Sequence, residues 1–162
     1  MAIDGVKIID SDQAYDIYNE VVGRYRDGDH VANIIKDILD TEKDDCQTDF
    51  FTEIYWTAFA YSLWKIGHLT DDIRDKTLEI IKKGPDPFWL EIDSNALKQR
   101  QKVLEKLAVQ LQTENPRPLK VPKAKAKRKP YFEEGDILAV KFEDEYGLVF
   151  VSMVEQSPRK LE

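Results

Sequence analysis

A chain of 162 residues with a net charge of −7 has room for one ordinary domain, or for one domain and a small module. Its single cysteine, Cys46, excludes an internal disulfide framework and fits a reducing, cytoplasmic setting. The start, MAIDGVKIID, has no basic region followed by a long apolar run, so no leader is expected; no uncharged apolar stretch is long enough for a membrane span.

Residues 3–9, IDGVKII, read as a short apolar arm or a single strand. Ser11 is a good N-cap for a helix over about 12–26, with Ala14, Ile17, Tyr18, Val21, Val22 and Tyr25 as its apolar stripe. Gly28 supplies its stop. Asp29 is placed to cap a second helix, whose seam is Val31, Ile34, Ile35, Ile38 and Leu39. That helix ends in Asp40, Glu42, Asp44 and Asp45, carboxylates that the macrodipole disfavours at a C-terminus. They are either a solvated end or an acidic surface kept for a cationic partner.

The run from Phe50 to Gly67, FFTEIYWTAFAYSLWKIG, organises the rest. Phe51, Ile54, Tyr55, Ala58, Tyr61 and Ser62 share one face, and Phe50, Trp56, Phe59, Leu63, Trp64 and Ile66 cover most of the others. A helix apolar nearly all round is buried on several sides. This spacing predicts a central helix; should Trp56 or Trp64 be exposed, that aromatic patch becomes the candidate surface for a partner or a homodimer.

Thr70 or Asp71 opens a fourth helix with Ile73, Thr77, Ile80 and Ile81 inward, and Gly84 ends it. Pro85 to Leu90 reads as a turn and a short helical plug, with Pro87 suited to a first helical position. Asp93 or Ser94 caps a last helix to about Gln112, with Leu97, Leu104, Leu107 and Leu111 as its stripe. The expectation for 1–114 is a mainly α, antiparallel domain of about five helices.

Residues 115–130 change character. The stretch 116–130, PRPLKVPKAKAKRKP, carries seven positive charges and no acid, which leaves 17 basic against 31 acidic residues elsewhere, a net of −14. Four prolines and alternating lysines give little to bury, so a linker is expected. It is either a soluble spacer that lies on the acidic domain, or a strip for phosphate backbones through Lys123, Lys125, Lys127, Arg128 and Lys129. No aromatic residue is interleaved to stack bases.

Over 131–160 the reading is a small β hairpin or partial barrel. Its strands are 137–142 and 148–154, and Glu143 to Gly147 form the loop. Two strands alone are marginal, so the hairpin should pair with the N-terminal arm, the helices, or strands beyond this chain. The closing Leu161-Glu162 matches the remnant of a common cloning site, which would make the chain a piece of a longer protein.

No catalytic or cofactor constellation is present in the pattern. His30 and His68 have no ligands at metal spacing beside them, Cys46 sits among acids that raise a thiol pKa, and no phosphate-binding glycine loop occurs. Asp49 and Glu53 share a helical face at i, i+4, the spacing of a carboxylate pair, but no third group accompanies them.

Phe132, Gly135, Asp136, Ile137, Leu138, Ala139 and Val140, followed by Tyr146-Gly147, resemble the opening of small β-barrel domains. The segment is similar to the bacterial polymorphic-toxin immunity family called immunity protein twenty-six, and more loosely to the barrel of endoribonuclease toxins. The stretches EIYWTAFA and LWKIG resemble helical domains attached to such immunity proteins. The immunity resemblance implies a protein that binds and blocks a basic toxin without chemistry of its own. The toxin resemblance lacks its basic residues between Tyr146 and Gln156, so no ribonuclease activity is expected.

Overall fold

The computed structural model describes residues 3–121 and 131–154. The chain divides into two compact units, Met1–Val121 and Pro122–Glu162. Among the described residues the first unit holds six helices: α1 (Asp12–Asp27), α2 (Val31–Asp45), α3 (Asp49–Ile66), α4 (Asp71–Lys82), α5 (Trp89–Ile92) and α6 (Ala96–Leu111). The second holds the hairpin β1 (Ile137–Phe142) and β2 (Glu145–Phe150). The fold is mainly helical with a small C-terminal β hairpin, as the spacing predicts. None of the described helices is long and apolar enough to cross a membrane.

Helix α3 touches α1, α2, α4 and α6. Twelve of its 18 residues are buried, including Ile54, Tyr55, Trp56, Phe59 and Leu63. Trp56 is therefore core. Trp64 is half-buried, and its indole Nε1 donates to the Thr113 carbonyl at 2.7 Å. Four helices cover this one, so of the two tryptophans Trp56 is closed off while Trp64 keeps part of its surface. Buried hydroxyls on α3 and α4 stay satisfied by donating to their own helices: Thr57 to Glu53, Ser62 to Ala58 and Thr77 to Ile73, each at 2.7 Å.

The helix ends follow local chemistry with some changes of residue. Ser11 caps α1 by accepting from the Ala14 amide, and Gly28 ends it in the left-handed region. Asp29 does not cap α2. Its carboxylate accepts from the adjacent His30 amide and from Arg24, whose guanidinium also reaches Glu20 and Asp37 and so ties α1 to α2. That contact holds the Asp29 carboxyl below its ordinary pKa. Leu39, placed in the seam of α2 by its spacing, is exposed. The N-cap of the last helix is Asn95 instead of Asp93 or Ser94, and the helix begins at Ala96; the Asp93 carboxylate accepts from the Asn95 amide in the turn ahead of it.

Among the described residues the hairpin's sheet has two strands, β1 and β2, and the N-terminal arm is part of the first unit. Ile3 bridges to Ser11, and Ile8 is buried against the helices. Residues 115–121, assigned to the linker on composition, belong to the first unit. Asn115 Nδ2 donates to the Trp64 and Lys65 carbonyls, and the Leu119 amide donates to Lys65 at 2.9 Å. Pro118 packs on Gly67, where a Cβ would meet the proline Cβ at 2.8 Å. A few specific bonds outweigh the prolines here.

In the second unit β1 and β2 pair antiparallel from Ile137↔Phe150 to Phe142↔Glu145. The turn is two residues, Glu143 and Asp144, and β2 starts at Glu145 instead of Leu148. Glu143 sits at φ 49°, an unusual place for a residue with a Cβ. The Gly135-Asp136 pair closes a turn ahead of β1: Gly135 has φ 95°, the Asp136 carboxylate accepts from the Glu133 amide, and the Asp136 amide donates to Glu133. Local turn chemistry accounts for that motif.

Candidate functional site

Four carboxylates meet where α1 begins and α2 ends. Asp12 and Asp16 lie on the first turns of α1, Asp44 and Asp45 on the last turn of α2, and together they line a cleft of 430 Å³ with Gln13, Ile17, Gln47 and Phe51. Gln13 Nε2 donates to the Asp45 carbonyl at 3.0 Å and locks the two helix ends together. Its Oε1 is buried and has no hydrogen-bond partner among the described residues. The C-terminal carbonyls of α2 add their partial negative charge to the same place. No group of three or more His, Cys, Asp or Glu among the described residues is placed to hold a metal ion. The lining holds four carboxylates and two amides and no basic residue, which suits a cationic group.

The four acids at the end of α2 have separate surroundings. Asp44 and Asp45 line the cleft. Asp40 is exposed one turn earlier and does not line it. Glu42 turns toward α3 and α4: its Oε1 accepts from Trp56 Nε1 at 3.2 Å and from Lys76 Nζ at 3.4 Å, with the Lys76 ammonium 4.8 Å from the centre of the Trp56 ring. It belongs to the fold. The basic residues Lys123, Lys125, Lys127, Arg128 and Lys129 lie outside the described residues.

A second cleft, of 470 Å³, lies between the end of α3, the start of α4 and the end of α6. Its polar groups answer one another. Trp64 bonds Thr113, Asn115 bonds the end of α3, and Arg74 pairs with Asp71 and Asp75. It offers less to a ligand than the acidic cleft does.

Asp49 and Glu53 are not a working pair. Asp49 is exposed, whereas Glu53 is buried and fully engaged. Glu53 accepts from the Asp86 amide at 2.8 Å, from Trp89 Nε1 at 3.3 Å and from Arg100 Nε at 2.7 Å. Arg100 in turn donates to the Val6 and Lys7 carbonyls and to Thr57 Oγ1, and its guanidinium lies 4.8 Å from the centre of the Trp89 ring. Burial pushes the Arg100 pKa down, and the Glu53 charge opposes that push. This cluster joins the arm, α3, α5 and α6, and its donors and acceptors are used in doing so. Arg100 is absent from the expected stripe, yet position 100 completes the series 97, 100, 104, 107, 111.

Of the remaining reactive side chains, His30 is an exposed N-cap residue without a side-chain cap bond, and the His68 ring packs edge-on against Tyr25 at 5.4 Å. Burial pushes the Cys46 thiol up to about 11, with a smaller push from Glu42 and Asp45. No family model, curated protein or solved structure matches the chain.

Proposed function

We propose that the chain is a non-catalytic protein-binding factor whose acidic cleft receives a lysine- or arginine-rich segment of a partner protein. The observation that carries this reading is the convergence of Asp12 and Asp16 with Asp44 and Asp45 around one cleft, at the negative end of α2. The net charge of −14 outside residues 116–130 extends that field and steers a cationic partner toward the protein. A basic toxin blocked by this protein is the partner that the immunity resemblance suggests. The elaborated polar cluster at Glu53 is consumed by the fold, which supports binding over chemistry.

The test is fluorescence polarisation of a labelled lysine- and arginine-rich peptide against the purified chain, at low and at high salt. The expected result is salt-sensitive binding that weakens about tenfold or more in the Asp44→Asn/Asp45→Asn variant, and that persists in Glu42→Gln. Equal weakening by both variants would mean diffuse charge without a site. Turnover of a substrate that Glu53→Gln abolishes would overturn the reading altogether.

A further inference from the structure

The second unit presents an apolar sheet face that its own described residues leave open. Alternate residues of a strand share a face, so the register puts Ile137 with Phe150, Ala139 with Leu148 and Lys141 with Tyr146 on one side. Ile137 is 68%, Tyr146 70%, Leu148 77% and Phe150 63% exposed. The opposite side is mixed, since Leu138, Val140 and Gly147 there are half-buried while Phe142 is 64% and Val149 46% exposed. A lone two-stranded hairpin is marginal in water, and one with this open side exposes the residues that would stabilise it.

We infer that the open face is covered by the same face of a second copy of this chain. Its four large side chains expose on the order of 600 Å² per copy, so two faces together reach about the 1,200 Å² at which specific interfaces begin. The charges favour a copy as the occupant. Lys141 is the face's one charge and sits at the turn end, while Glu133, Glu134 and Asp136 lead into β1 at the other end, about 16 Å away at the rise of a strand. Two faces stacked about a two-fold axis with their ends reversed bring each Lys141 to the acidic end of its partner. A cationic segment of the kind proposed for the acidic cleft finds no carboxylate on this face. The inference is independent of that reading and uses different residues.

Sedimentation equilibrium of the full chain over a concentration series tests it. A dimer is expected, and Leu148→Glu should raise its dissociation constant about 30-fold or more. The far-ultraviolet helical signal and the tryptophan fluorescence should stay unchanged, because Trp56, Trp64 and Trp89 are all in the first unit. Lys141→Glu should weaken the dimer, and adding Glu133→Lys and Glu134→Lys should restore it. A parent chain that is monomeric throughout, or a dimer indifferent to Leu148→Glu, overturns the inference. So does a monomer whose hairpin amides resist hydrogen exchange, since the chain would then cover its own face.

Discussion

Arg100 Nε donates to Glu53 Oε1 at 2.7 Å across 47 residues of sequence, and the two side chains are 1% and 3% exposed. Removing one partner strands the other charge in the core. Glu53→Ala or Arg100→Ala should each cost about 3–5 kcal/mol, and Glu53→Ala/Arg100→Ala should cost less than the two single changes added together. Urea unfolding of the four proteins checks this. Additive costs would show that the charges are not coupled.

Cys46 should show its burial as a pH effect. Its thiol is raised from 9.0 to about 11 in the folded chain. A raised folded value means a contribution that is complete below the unfolded pKa and is lost as pH rises through the folded one. Stability should therefore fall between about pH 9 and about pH 11 in the parent and less in Cys46→Ala. Alkylation of the native thiol should accelerate with a midpoint near 11, whereas the urea-unfolded chain should follow the ordinary thiol value. A native midpoint near the ordinary value would place Cys46 in water.

Two glycines should respond to alanine with opposite sign. Gly67 ends α3 at φ 77° with Pro118 against it. Gly67→Ala should cost about 1–2 kcal/mol from the left-handed backbone alone, and the clash with the proline adds to that. Gly23 lies within α1, and a Cβ there meets nothing within 4 Å. Gly23→Ala should stabilise the protein by about 0.5–1 kcal/mol. Thermal unfolding of both variants reads the two signs directly.

Much of the fold is legible in the linear pattern. The stop at Gly28, the cap at Ser11 and the burial of α3 follow from residues that act within a turn of themselves. The cap of α3 is also local, since Thr48 Oγ1 accepts from the Phe51 amide at 3.3 Å, although the aromatic run draws the eye past it. Arg100 shows a subtler signal. It is a charge at a core position of its helix, and Glu53 is a charge on an otherwise apolar helix; two such misfits of opposite sign are natural partners. Periodicity alone treats each as polar and assigns it to the surface.

The acidic site divides along the same line. Composition and helix periodicity establish that carboxylates crowd the end of α2, and nothing beyond the chain's order of residues is needed to see it. Which of them act together is set by how the helices pack. Glu42 and Asp44 are two residues apart, about 200° around the helix axis, so packing turns Glu42 to Trp56 and Lys76 and leaves Asp44 beside Asp45 at the cleft. Asp12 and Asp16 join them from about thirty residues away because α1 and α2 both pack against α3. A residue's turn or helix is a short-range preference, whereas a site made from two helix ends exists once a buried third helix has fixed where those ends meet.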